Sequence, residues 1–275
     1  MNIALVLSGG MGTRLGSDIP KQYIKVNNKM IISYCLETLF NNDNIDYIQI
    51  VADKIWHGEI KQELSRIYDV GHMQTGQQES TASSKFNSKF KGFSEPGANR
   101  QLSIYNGLSD IKKYAADDSF VLIHDAARPL LKNELIDACF EAVEGKCNSD
   151  CGRSNNDGYG SKDENGHTLD VALSFDGVLP VLPMKDTVYM SEDGNGISSL
   201  LDRSKLYAGQ APELFLLGKY YEANKALLPD KILTINGSTE PAIMAGMNIA
   251  MIPGDEDNFK ITTKTDLERF EELSD

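Results

Sequence analysis

A mainly parallel β-sheet covered by α-helices is the fold this sequence predicts, on three observations. Five apolar runs, Ile3–Leu7, Ile48–Ala52, Phe120–His124, Gly177–Leu182 and Ile249–Ile252, have the length and residue types of buried strands. Amphipathic helical patterns fill most of the intervals between them, and such alternation is the signature of parallel strands joined by crossover helices. The chain of 275 residues, 41% of them apolar, can bury a sizeable core as one large α/β domain.

Taken in order, the first strand opens into a glycine loop. The helices follow at Ile31–Phe40, Trp56–Tyr68, Leu102–Tyr114 and Asn133–Val143, and Thr265–Leu273 closes the chain. Two stretches break the pattern. Residues 71–99 are rich in Ser, Gln, Lys and Gly, and residues 145–170 in Asn, Asp, Gly and Ser, so neither can bury much surface. Both are expected to be surface insertions within a single domain spanning 1–275.

The formal charge of −13 repels polyanions, which argues against nucleic-acid polymers and anionic membranes as partners, while a small anion needs only a local cationic pocket. Met1-Asn2-Ile3 enters a strand pattern without a basic leader, and no apolar stretch approaches a membrane span, so a cytoplasmic protein is expected. Cys35 and Cys139 sit in apolar helical patterns and are expected to be buried thiols of a reducing compartment. Cys147 and Cys151 are separated by three residues, without the tight knuckle or second pair of a zinc ribbon, His124 and His167 being the other available ligands. A local disulfide or plain loop thiols are expected there.

The first strand runs directly into Leu7-Ser8-Gly9-Gly10-Met11-Gly12-Thr13-Arg14-Leu15-Gly16, with Pro20-Lys21-Gln22 just beyond. Glycines let backbone N–H groups approach an anion, and Arg14 and Lys21 supply the positive charge a triphosphate needs. Two familiar alternatives fail on the same residues. Counting a dinucleotide fingerprint from Gly10 puts Leu15 at its third glycine, and the lysine of an ATPase loop is absent from the head of the helix. A glycine-rich turn without a ligand stays open.

Val121-Leu122-Ile123-His124-Asp125-Ala126-Ala127-Arg128-Pro129 sets an aspartate and an arginine just past a buried strand, where an open parallel sheet borders its ligand crevice. Asp125 there can hold a divalent cation bridging phosphate oxygens, and Arg128 can grip a phosphate; a structural Asp–Arg pair is the alternative. Arg100-Gln101-Leu102-Ser103 starts a helix, where Arg100 and Ser103 can meet a ribose, a base edge or a phosphate, or Ser103 can serve only as a helix-start residue. Asn258-Phe259-Lys260-Ile261-Thr262-Thr263 predicts a short strand leading into a capped helix, with Lys260 facing either the crevice or solvent.

Taken together and in this order, with Pro183-x-x-Asp186-Thr187 and Gln210-x-Pro212 added, these motifs resemble the cytidylyltransferases that activate polyol phosphates, the methylerythritol-phosphate and ribitol-5-phosphate types. The resemblance spans nearly the whole chain outside the two insertions. It implies a Rossmann-like three-layer α/β/α sandwich with a protruding β-arm at about 183–210, and a homodimer joined through that arm. It further implies CTP and a polyol phosphate as substrates and Mg2+ as cofactor.

By that resemblance Arg14, Lys21 and Lys260 serve the transition state. Ser8, Gly9, Gly10, Met11, Gly12, Arg100, Ser103 and Asp125 hold the nucleotide, with Asp125 also on the metal. Arg128, Asp186, Thr187 and Arg203 grip the acceptor. A sugar-phosphate nucleotidylyltransferase using another nucleotide, or an inactive nucleotide-binding partner protein, are the competing readings. Cations aimed at a transition state argue against the second.

Two departures bear on the acceptor. The family's Thr-Asp before the last strand is replaced by Asn236-Gly237-Ser238-Thr239-Glu240, and its Thr-Pro-Gln by Ala211-Pro212-Glu213, which is expected to add a charge near the acceptor pocket. Tyr207-x-Gly209-Gln210-x-Pro212 and Ala245-Gly246 look nearer the ribitol branch, Leu182-Pro183-x-x-Asp186-Thr187 nearer the methylerythritol branch.

Overall fold

Ile3, Ala4, Leu5 and Val6 are wholly buried in β1 (Asn2–Leu7), an interior strand of the sheet. It pairs in parallel with β4 (Tyr47–Val51) on one side and β6 (Phe120–Asp125) on the other. The computed structural model describes residues 1–10, 19–75, 89–145 and 175–274. The expectations placed on Met11, Gly12, Arg14, Cys147, Cys151, and on all but the first residue of segment 145–170, lie outside the described residues.

The sheet runs β10 (Tyr207–Gly209), β7 (Gly177–Pro183), β11 (Glu213–Leu216), β6, β1, β4, β5 (Phe90–Ser94), with β12 (Ile249–Pro253) paired to β7. β12 runs parallel to β7, whereas β10 and β11 run antiparallel to their neighbours. The mainly parallel sheet is thus as expected. Two-stranded ribbons, β2 (Lys25–Val26) with β3 (Lys29–Met30) and β8 (Tyr189–Met190) with β9 (Ser199–Leu200), stand apart from it.

Because successive side chains of a strand point to opposite faces, the sheet divides the interior into two cores. Ala4 and Val6 of β1 and Leu122 of β6 face α1 (Ile31–Asn41), α2 (His57–Thr75) and α4 (Asn133–Val143). Ile3 and Leu5, with Val121 and Ile123, face α3 (Arg100–Ile111), α5 (Leu217–Lys225) and α6 (Glu240–Met244). Three layers result. On the second face α3 presses so closely on β1 that a Cβ at Gly107 would come within 2.5 Å of Leu5 Cδ1. Cys35 and Cys139 are buried free thiols in the first core.

Two expectations need correction. Segment 71–99 is not an insertion throughout: residues 71–75 complete α2, and Phe90–Ser94 is the edge strand β5, parallel to β4. Its two phenylalanines are separated by Lys91 and Gly92, with Gly92 at φ +142° beside a register shift, so no apolar run marks it. Residues 258–263 form no strand; they are irregular, tied by Ile261 N–H to Ala127 O at 2.9 Å, and lead into α7 (Lys264–Ser274). The start of α7 is a reciprocal cap, Asp266 Oδ2 accepting from Thr263 N–H and Thr263 Oγ1 accepting from Asp266 N–H.

Candidate active site

The carboxyl ends of β1 and β6 and the first turn of α3 enclose a cleft of about 440 Å³. Its wall includes Leu7, Gly9, Gly10, Lys21, Arg100, Ser103, Asp125 and Lys260. This is where an open parallel sheet binds ligands, because loops diverge at the carboxyl ends of its strands.

The floor is Asp125, the last residue of β6 and nearly buried. Its Oδ1 accepts from Arg100 Nε at 3.0 Å and its Oδ2 from Lys260 Nζ at 2.9 Å, with Arg128 Nε 3.7 Å from Oδ2. Burial alone would raise this carboxyl; Arg100, Lys260 and Arg128 outweigh burial and hold it far below the usual carboxylate range. Arg100 is presented at the start of α3 by Asn99, whose Oδ1 accepts from Leu102 N–H at 2.8 Å as the helix N-cap. Ser103 accepts from Gly97 N–H at 2.9 Å and donates to Asn99 O, so its hydroxyl braces the same turn.

Lys21 lies on the facing wall, its Nζ donating to Ile261 O at 2.5 Å. The lysines expected to flank the triphosphate are therefore drawn together although 239 positions separate Lys21 from Lys260. The glycine loop is held from behind. Gln22 Nε2 donates to Ser8 O and Gly10 O at 2.7 and 2.8 Å, and Tyr23 exchanges hydrogen bonds with the Ser8 hydroxyl and carbonyl. Ser8 is thus spent on the scaffold, its side chain turned away from the cleft. At Gly9 a Cβ would come within 2.6 Å of Pro96 Cβ, whereas the space at Gly10 is open to an approaching anion.

Arg128 does not line the cleft. Its guanidinium is largely buried, Nη1 donating to Asn258 O at 2.7 Å and Nε 3.7 Å from Asp125 Oδ2, the arrangement of a structural Asp–Arg pair. His124 beneath it is fully buried, its Nε2–H directed at Arg128 O at 3.0 Å and its Nδ1 without a partner; burial pulls its pKa down to about 4. Asp186, Thr187 and Arg203 are exposed on the segment that carries β8 and β9, away from the cleft wall of their own chain, with Arg203 Nη1 donating to Lys185 O at 2.8 Å.

The two sequence departures meet in space. Glu213 is 8% exposed, outside the cleft wall, with its carboxylate accepting from Ser238 Oγ at 2.5 Å and Thr239 Oγ1 at 3.1 Å and lying 4.0 Å from Arg100 Nη2. The charge expected near the acceptor pocket is instead buried behind Arg100, and that burial pushes the Glu213 carboxyl up against the opposing pull of Arg100 and Ser238. Motif reading named Gln22 and Glu213 without seeing that they position the site, and it gave Asn99 no role at all. Only Asn99 carried a local signal, a capping side chain directly before a helix.

The chain matches the family model described as 2-C-methyl-D-erythritol 4-phosphate cytidylyltransferase over residues 2–151 and 163–273. It is 26% identical over 277 aligned residues to a ribitol-5-phosphate cytidylyltransferase of Streptococcus agalactiae serotype V, covering 100% of this chain and 95% of that one. A 2-C-methyl-D-erythritol 4-phosphate cytidylyltransferase of Neorickettsia sennetsu is 29% identical over 269 residues, covering 96% and 92% of the two chains. The fold is that of the 4-diphosphocytidyl-2C-methyl-D-erythritol synthase from Anaerococcus prevotii, with a TM-score of 0.69 at 19% identity over 99% of this chain and 95% of the other. The chain belongs to the IspD family, the 2-C-methyl-D-erythritol 4-phosphate cytidylyltransferases.

Proposed function

We propose that this cleft transfers CMP from CTP to a polyol phosphate of the ribitol 5-phosphate kind, giving a CDP-alcohol and pyrophosphate. The observation that carries the reading is the convergence of Lys21, Arg100 and Lys260 on one cleft beside Asp125. An oxygen of the acceptor's phosphate attacks the α-phosphorus of CTP. As that P–O bond forms, the bond to the bridging oxygen breaks and its electron pair leaves with pyrophosphate. The protein's share is positioning and charge: Lys21 and Lys260 offset the negative charge that grows on the α-phosphate and the departing pyrophosphate.

Asp125 suits a magnesium ion as its single protein ligand. Its carboxylate is held ionised at the mouth of the strand, and no cluster of three His, Cys, Asp or Glu occurs among the described residues. One carboxylate together with phosphate oxygens and water is the donor set Mg2+ favours. When bound, Mg2+ supplies charge neutralisation on the phosphates.

The acceptor side draws on a second copy of the chain. Tyr189, Ile197, Leu200 and Tyr207 are exposed apolar residues on the arm that also bears Asp186, Thr187 and Arg203. A homodimer buries that apolar surface and brings Arg203 to the partner's cleft, where a guanidinium suits a phosphate. No helix among the described residues is long and apolar enough to cross a membrane, and the free thiols of Cys35 and Cys139 suit the cytoplasm.

The test incubates purified protein with CTP, Mg2+ and, separately, ribitol 5-phosphate, 2-C-methyl-D-erythritol 4-phosphate and sugar phosphates. Pyrophosphate release and the mass of the nucleotide product are followed. Release with ribitol 5-phosphate and formation of a CDP-alcohol are expected; no release with any polyol phosphate overturns the proposal.

A further inference from the structure

The cations around Asp125 fall into two classes. Arg100 and Lys260, with side chains 33% and 35% exposed, face the cleft and each donates to one oxygen of Asp125. Arg128, 13% exposed, is pinned from behind by Asn258 O and approaches Asp125 Oδ2 only to 3.7 Å, its buried Nε lacking a hydrogen-bond partner. The outer pair is engaged; the inner arginine holds a donor in reserve.

We propose that Asp125 is an internal competitor for phosphate: its carboxylate occupies two of the cleft-facing cations, Arg100 and Lys260, that the nucleotide must take over, and Arg128 is the counter-ion that replaces them. Nucleotide binding is then an exchange of ion pairs. The incoming phosphates draw Arg100 and Lys260 away and the Arg128 Nε–H closes on Asp125. The buried carboxylate is never left unpaired, a state whose cost would otherwise oppose binding. A carboxylate facing a triphosphate also repels it, so Asp125 opposes the nucleotide twice, by holding its cations and by like charge. Arg128 closes on Oδ2, so the same exchange leaves Oδ1, vacated by Arg100, to a divalent cation, which makes nucleotide and metal mutually dependent.

This inference rests on the proposed use of CTP, and its test separates the two. CTP is titrated calorimetrically into the wild type and Asp125→Asn in the presence of a chelator, and again with Mg2+. Without metal, Asp125→Asn is expected to bind CTP at least about tenfold tighter than the wild type. Mg2+ tightens binding by the wild type and leaves the variant nearly unchanged. If the wild type binds CTP and the variant binds no tighter in chelator, the competitor role is overturned while the activity stands; if neither protein binds CTP under any condition, the proposed function itself fails. Since Asp125→Asn gathers cations without their counter-ion, a second measurement uses only the wild type. The Nε–H proton resonance of Arg128 is expected to shift downfield as chelator-treated CTP is added, and a resonance that stays in place at saturation overturns the exchange.

Discussion

The ammonium group of Lys21 donates to the carbonyl of Ile261 at 2.5 Å, joining the segment after the glycine loop to the segment after the last strand. Lys260 is the neighbour of that acceptor residue and reaches the opposite partner, Asp125, at 2.9 Å. One short irregular stretch thus meets both lysines: it carries Lys260 itself and accepts Lys21, which stands at the head of the single 3-10 turn Lys21–Tyr23.

Lys21→Ala should lower kcat by a factor of about 100 or more, because one oriented charge on such a transition state contributes a few kcal/mol. Steady-state rates with the acceptor, beside a thermal melt that stays within a few degrees of the wild type, check this. An unchanged kcat removes Lys21 from the reaction.

His124 predicts an acid-side loss of stability. Its folded pKa, about 4, lies below the ordinary value of 6.5, so between those values the unfolded chain binds a proton that the folded chain refuses. The stabilisation from the neutral buried ring is therefore complete above pH 6.5 and is lost as pH falls toward 4, amounting to about 3 kcal/mol. Urea unfolding of the wild type at pH 7 and pH 4.5, compared with His124→Gln, checks it: the variant's stability should fall less over that interval, and equal slopes would refute the assignment.

Gly107→Ala should destabilise the fold by about 1–3 kcal/mol, since the added methyl meets Leu5 Cδ1 at 2.5 Å between α3 and β1. The midpoint of urea unfolding should move down with little change in its slope.

Arg203→Ala should raise KM for the polyol phosphate by about tenfold or more and leave KM for CTP nearly unaltered, consistent with the loss of a charged phosphate contact. Mixed dimers pairing Arg203→Ala with Lys21→Ala chains should recover one working cleft if the arm serves the partner, and none if it serves its own chain. Turnover of the reconstituted mixture distinguishes the two.

Legibility followed burial on both faces of the sheet. β1, β6 and β12 were readable as apolar runs, and α4 was found at its observed bounds, Asn133–Val143, because its apolar residues recur at helical spacing. β5 and β11 were missed: the first carries Lys91 and Gly92 at the sheet edge, and the second is only four residues long and passes straight into α5. In the site, Asp125 was readable as an acid at a strand end and Arg100 as an arginine at a helix start, while the family resemblance joined Lys21 and Lys260 to them; all four line one cleft. Which cation faces the ligand was not. Arg128 and Arg100 are both arginines near Asp125, and only the packing of Asn258 against one of them turns it inward. Glu213 misled for a similar reason, since its partners Ser238 and Thr239 come from a different element.

The root of the arm is fastened at a telling place. Gln210, directly after β10, exchanges two hydrogen bonds with the backbone of Asp255, and Asn258 Nδ2 donates to Ala211 O at 2.7 Å. The stretch that grips the arm's base is the one that goes on to carry Lys260. Pulling or twisting the arm therefore bears directly on where that lysine stands. In the homodimer proposed above, subunit docking and the placement of Lys260 would be geared to each other through the backbone of residues 255–260.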